Sequence, residues 1–344
     1  LKRPNFVVRT RYRSHHQPDT CDRKGHSFAD LASASVQFLV RSTLAREGQS
    51  NLAERGFMLR GRDRDKAIIE RLDGWGSSNP QWPRSIELGI RLLRLSIEAQ
   101  PRIGTPKPHL TRDAVSALLM QGKSILAFDD LKPDWSLLEG LFRAAIRILV
   151  VELPGSDENS QRLNQLAANT PLLRQVARDY YSDTPLSATA TEHCIDTLLM
   201  EACISAAMAP FLAAHSEVLS ELVAQELWRR KGCPLCSGAA DFAFLEKEQG
   251  ARWLICSRCS MEWLFQRIQC PYCGTQKHES LAYRTNSQGL YRLYTCEECH
   301  GYIKAIDLRK AGADVLLPLE RILTVDLDRQ AQEANYTPGH QSRL

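Results

Sequence analysis

Eight of the chain's eleven cysteines lie between Cys233 and Cys299, arranged as four C-x-x-C pairs. Cys21, Cys194 and Cys203 stand apart from them. A C-x-x-C turn points two sulfurs at one spot, and two such turns supply the four donors of a tetrahedral centre. The pairs belong to an internal repeat. One unit is CPLCSGAADFAFLEKEQGARWLICSRCSMEW, the other CPYCGTQKHESLAYRTNSQGLYRLYTCEECHGY. Each opens on C-P-x-C, crosses a Gln-Gly tip and closes on C-x-x-C. Nineteen residues separate the pairs in the first unit and twenty-two in the second. The tips at Gly250 and Gly289 read as hairpin loops with glycine at positive φ. Arg252 and Arg292 each stand four residues before their closing pair.

The repeat predicts two sites. Cys233, Cys236, Cys256 and Cys259 form the first, and Cys270, Cys273, Cys296 and Cys299 the second. Four thiolates suit zinc or a rubredoxin-type single iron. Each unit has roughly 35 residues, too few to bury a stable core alone. Metal ligation would add on the order of 10 kcal/mol of folding free energy. The stretch TCEECHGYIK also carries C-x-x-C-H, the attachment signature of c-type haem. Cys296 and Cys299 already belong to the repeat, however, and no histidine follows their counterparts Cys256 and Cys259. His300 therefore falls outside the expected ligand set. Cys194 and Cys203 read as small buried hydrophobes.

Six short runs in this region have strand character: DFAFLE, ARWLICS, EWLFQR, SLAYRT, LYRLYT and YIKAIDL. Tyr283, Tyr291 and Tyr294 among them read as hairpin core. Upstream the pattern is helical. RDKAIIERL, SIELGIRLLRLSIEAQ and DWSLLEGLFRAAIRILVVEL repeat apolar residues at three- and four-residue spacing. Thr111 signals a helix start and Pro154-Gly155 a stop, with a loop over 101–110. Further helices are expected over 158–181, over 190–213 and along SEVLSELVAQELWRR.

The fold class expected is an α-helical N-terminal domain plus two small β-hairpin four-cysteine modules, rubredoxin-like or zinc-ribbon-like. A basic, flexible extension would occupy 1–62, where helical character is confined to 31–44. The helical domain would span 63–230, the first module 231–267 and the second 268–310. A partly helical C-terminal segment would cover 311–344.

The most apolar runs, such as AAIRILVVEL from Ala144, are broken by charge short of the ~20 residues a membrane span needs. The basic start lacks the apolar core of a signal peptide. A cytoplasmic location is expected, which argues against structural disulfides. The formal charge is only +4. Thirteen Lys/Arg face eight Asp/Glu from Arg229 to Lys310. Two divalent tetrathiolate centres, at −2 each, would remove most of that surplus, so nucleic acid is not the expected partner. No nucleophile–base pair or phosphate loop stands out, so no catalytic residue is assigned.

The run from Cys233 through RWLICSRCSMEWLFQRIQCPYCG (252–274) to CEECHGYIK (296–304) resembles the formate dehydrogenase accessory protein family, FdhE. The likeness is dense from Trp228 to about Leu308 and thinner over the helices. It implies a cytoplasmic, non-enzymatic maturation factor with two mononuclear four-cysteine sites, iron being favoured and zinc an alternative. The implied partner is the catalytic subunit of a respiratory formate dehydrogenase, with self-association as a further implication. Two other functions fit the cysteines: a rubredoxin-like electron-transfer protein and a zinc-ribbon nucleic-acid binder. One departure from the family is C-P-L-C-S-G, which puts Ser237 where a glycine usually completes the turn at positive φ.

Overall fold

The structure, a computed structural model, describes residues 61–78, 81–108, 110–150 and 156–340. The expected extension up to residue 60, Cys21 within it and the stop signal at Pro154-Gly155 lie outside the described residues. Gly61 and Arg62 already belong to the first helix.

Among the described residues nine helices come first: α1 (Gly61–Ser78), α2 (Arg84–Ile103), α3 (Arg112–Met120), α4 (Phe128–Leu131), α5 (Trp135–Val150), α6 (Ser156–Ala168), α7 (Thr170–Tyr181), α8 (Ser187–Glu192) and α9 (Thr197–Leu219). The start signal at Thr111 is a side-chain cap, its hydroxyl accepting from Ala114 N at 3.3 Å. Asp134 caps α5 in the same way, accepting from Ser136 N and Leu137 N at 2.9 and 3.1 Å. Helix α5 buries Leu138, Leu141, Phe142, Ala145, Ile146 and Leu149, spaced three and four apart. This face packs on α9.

Three helix expectations need correction. The helix over 158–181 is two helices, because Asn169 caps α7 by accepting from Leu172 N at 3.2 Å and Pro171 sits in the first turn. The helix over 190–213 begins only at Thr197, where Asp196 accepts from Leu199 N at 2.8 Å. It then runs on to Leu219, and beyond it SEVLSELVAQELWRR yields only the 3-10 turns Ser220–Leu222 and Gln225–Leu227. The loop over 101–110 is shorter at its start, since α2 continues through Pro101 and stops at Gly104, φ 72°.

Helix α9 also overturns the expectation that no stretch is long and apolar enough to cross a membrane. Thr197–Leu222 meets that test by length and composition, with a mean hydropathy of 1.6. Its apolar character has a local cause. The helix is surrounded by α2, α5, α7 and α8, and 56% of the window is buried within the fold. A helix apolar on every side is the kind that sits in a core.

The cysteine region folds as strands β1 (Ala240–Leu245), β2 (Arg252–Cys256), β3 (Glu262–Phe265), β4 (Leu281–Thr285), β5 (Tyr291–Cys296) and β6 (Gly301–Asp307). All six expected runs are strands. Gly250 and Gly289 lie at φ 66° and 67°, as their hairpin tips require. The two hairpins do not remain separate, however. Strands β1 and β6 pair in parallel, Phe242 opposite Lys304 and Leu245 opposite Asp307. One sheet results, in the order β3-β2-β1-β6-β5-β4. After it come α10 (Leu317–Leu323), α11 (Val325–Glu333) and the short β7 (Thr337–Pro338), which pairs with β6.

All seven residues of β6 are buried, including Lys304 and Asp307. Buried charges need partners. The Lys304 ammonium meets Asp328 at 2.6 Å and the Arg321 carbonyl at 3.0 Å. Asp307 receives Arg292 at 2.6 Å and Arg309 at 2.7 Å. Burial alone would raise its carboxyl, but these guanidinium hydrogen bonds hold it below the usual range.

Cys203 is fully buried on α9, and burial pushes its thiol up to about 12. Cys203→Ala is expected to leave metal content unchanged and to cost about 1 kcal/mol in lost packing. Denaturant melts and metal analysis check both. Loss of a metal equivalent would make Cys203 a ligand.

Candidate metal centres

The C-x-x-C turns that begin at Cys233, Cys256 and Cys270 share one local construction. In the first, Cys233 N donates to the Gly238 carbonyl at 2.9 Å, and Ser237 N returns a bond to the Cys233 carbonyl at 3.0 Å. The same two bonds recur at Cys256, with Met261 and Ser260, and at Cys270, with Thr275 and Gly274. Backbone N–H groups also aim at sulfur. Leu235 N, Arg258 N and Tyr272 N each lie 3.4 Å from the Sγ of Cys233, Cys256 and Cys270.

The residue after the second cysteine takes positive φ in all four turns. Ser237 stands at 60°, Ser260 at 56°, Gly274 at 86° and His300 at 50°. Only Gly274 adopts this conformation without steric cost. The strain expected at Ser237 therefore recurs at Ser260 and His300. This also explains C-x-x-C-H: His300 completes a turn, its exposed ring lies 6.1 Å from that of Tyr336, and its carbonyl accepts from Thr337 N at 2.8 Å.

The structure brings together Cys233, Cys236, Cys256 and Cys259, and separately Cys270, Cys273, Cys296 and Cys299, the sulfurs of each set lying within 4.8 Å of one another. In the first set, Cys233–Cys259, Cys236–Cys256 and Cys236–Cys259 are each 3.5 Å apart. In the second, Cys270–Cys299 and Cys273–Cys296 are 3.7 Å apart. A disulfide would need about 2.05 Å. Sulfurs at 2.3 Å from a central ion sit about 3.8 Å apart on the edges of a tetrahedron. Both sets fit a mononuclear ion. Cys194 and Cys203 belong to neither.

The two sets differ in their surroundings. All four sulfur residues of the first are buried within the main hydrophobic core. The loop after α3 covers them, Ile125 N and Leu126 N each donating at 3.0 Å to the carbonyls of Pro234 and Leu235. Arg258, inside the second turn, donates to the Tyr181 carbonyl at 3.0 Å, pairs with Asp183 and stacks over Tyr180. In the second set Cys273 is exposed and Cys299 half-buried. The spacings of nineteen and twenty-two residues do not show which set is the buried one. The mark in the sequence is Arg258 against Glu298, the cation reaching α7 while Glu298 is tied to Lys277 and Ser280 within its own unit.

Burial drives the thiols of Cys233 and Cys259 well above their usual range, because a lone thiolate there would be desolvated. In the outer set burial pushes Cys299 up to about 11. Burial would also raise Cys273, but hydrogen bonding at Thr275 and from neighbouring thiols outweighs it and the thiol falls. Cation binding would convert either set to thiolates, so affinity should fall with pH.

The difference in exposure sets an order of metal loss. A chelator should empty the outer set quickly and the buried set slowly. Cys296→Ser should abolish the fast phase and Cys233→Ser the slow one, as read by metal release with time. Equal loss of both phases in either variant would show that the sets do not act separately.

No protein-family model matches the chain. It is 41% identical over 115 residues to a protein named FdhE homolog from Aquifex aeolicus, an alignment covering 32% of this chain and 40% of that one. FdhE homologs from Stutzerimonas stutzeri and Pseudomonas aeruginosa are each 32% identical, over 158 and 152 residues. Those two alignments cover 40% and 39% of this chain and 51% and 48% of the relatives. About half the length of each relative, or less, is therefore matched. The crystal structure of the FdhE protein from Pseudomonas aeruginosa superposes with a TM-score of 0.49 at 20% identity, over 81% of this chain and 94% of that one. The sequence matches agree with the resemblance carried by the cysteine motifs: over the aligned part, this chain is similar to FdhE homologs.

Proposed function

We propose that the chain is a non-catalytic maturation factor that binds the catalytic subunit of a formate dehydrogenase and supports formation of the active enzyme. The observation that carries this reading is the pairing of two four-sulfur sets within a single sheet, in a chain similar to FdhE homologs. On this reading Cys233, Cys236, Cys256 and Cys259 hold one ion, and Cys270, Cys273, Cys296 and Cys299 the other. The family likeness favours iron, and the donor set accepts zinc equally well.

In this reading the ions are fasteners. Each would tie the two turns of its hairpin together and hold a client-facing surface rigid. The chain works in the cytoplasm, on a client that has not yet been exported. Its own side chains bind and position; they carry out no formate oxidation.

Co-purification tests the proposal. Wild-type chain should retain the catalytic subunit, and Cys233→Ser and Cys270→Ser should lose it along with one metal equivalent each. Cells lacking the gene should show reduced formate dehydrogenase activity. Normal activity in those cells, with no second copy of the gene, would exclude the maturation role.

A further inference from the structure

A cavity of about 390 Å³ opens between the two repeat units. Its walls include Arg252, Arg267, Arg292 and His278, and no carboxylate. The repeat makes the charge imbalance visible. In the second unit Arg292 on β5 stands opposite Ala305 on β6, and two residues further on Asp307 neutralises it. In the first unit Arg252 on β2 stands opposite Phe265 on β3. Two residues further on there is no acid but another cation, Arg267.

Arg252 is only 3% exposed. Its guanidinium lies 5.3 Å from the centroid of Phe265 and 5.5 Å from that of Tyr294. It makes one hydrogen bond to the protein, from Nη2 to the Gln269 carbonyl at 2.5 Å, and its Nε is buried without a partner. Burial lowers its pKa to about 10, which leaves it charged at neutral pH. A buried cation with most of its donors unused is costly unless an anion meets it.

The mouth of the cavity is apolar. Ile268 and Tyr283 line it and are 52% and 54% exposed, two of the few large hydrophobic side chains left open to solvent among the described residues. Tyr283 leans on Tyr294 at 5.5 Å, with the Arg292 guanidinium 4.9 Å from its centroid. The expectation that Tyr283 belongs to the hairpin core fails for this reason: its ring forms the rim of a pocket.

We propose that this cavity binds a carboxylate carried on an aromatic or branched apolar body. The carboxylate meets Arg252 and Arg267, whose planar guanidinium groups match its two oxygens. The body lies between Ile268 and Tyr283. A volume near 400 Å³ accommodates a group the size of one large amino acid, so the ligand is a free acid or the carboxyl-terminal residue of a peptide. Cys270 and Cys296 also line the cavity, and a loaded second centre would place negative charge there. The rival account is that Arg252 answers those thiolates alone.

Calorimetric titration of the full-length, metal-loaded chain separates the two accounts. The probes are 3-phenylpropionate, N-acetylphenylalanine, 3-phenylpropionamide and inorganic phosphate. Both acids should bind, and the amide should bind about tenfold more weakly or worse. The tighter acid identifies the source: N-acetylphenylalanine for a peptide terminus, phenylpropionate for a free acid. Arg252→Gln should cost about tenfold for the acids with phosphate as the control anion. Because Arg252 also holds the turn before Cys270, Ile268→Glu supplies a second variant. It places a like charge on an exposed rim position, and it too should weaken the acids while leaving metal content intact. No acid binding at millimolar concentration, equal binding of the amide, phosphate binding as tightly as the acids, or undiminished binding by Ile268→Glu would each overturn the proposal.

Discussion

Convergence of four sulfurs from the two ends of a hairpin is the constraint on which the rest of this structure depends. Cys233 and Cys236 precede β1, while Cys256 ends β2 and Cys259 follows it, so closing the set fixes the hairpin between them. The second set does the same for β4 and β5. Neither unit has the apolar volume to hold this geometry unaided. An ion in each set would supply on the order of 10 kcal/mol, enough to decide whether a unit of this size folds. The positive φ values at Ser237, Ser260 and His300 are a small opposing cost, of order 1–2 kcal/mol each.

The first set is also where the sheet meets the helices. Its sulfurs share a core with Leu138, Phe142, Cys203 and Leu212, and Arg258 reaches from its second turn to α7. Order in the helical part and order at the first centre are therefore coupled through backbone bonds and one guanidinium. The second centre sits further out, with Cys273 exposed and a lined cavity beside it. Two copies of one motif thus occupy different positions: one built into the core, the other at a surface where a partner or ligand has access.

Much of this was legible in the chain. The sulfur sets, six strands and the tips at Gly250 and Gly289 follow from spacing and turn chemistry, because each depends on neighbours within one unit. The parallel pairing of β1 with β6 was not, since Phe242 and Lys304 belong to different units and no local pattern links them. The burial of all seven residues of β6 is a consequence of that pairing, which places the strand at the centre of a sheet. Helix ends were missed where caps decide them, at Asn169 and Asp196. Tyr283 was misread because aromatic content alone does not separate a core ring from a rim ring. The unmatched Arg252 needed the register, which shows that the counterpart of Asp307 is Arg267.

Both centres rest on the claim that each set of four sulfurs binds one ion and nothing else does. X-ray absorption at the metal edge, on protein isolated without oxygen, measures this directly. The account predicts two ions per chain, each with four sulfur neighbours at about 2.3 Å and no nitrogen. A nitrogen ligand in the first shell, a metal–metal distance typical of a cluster, or a metal-free chain with its cysteines joined as disulfides would contradict it.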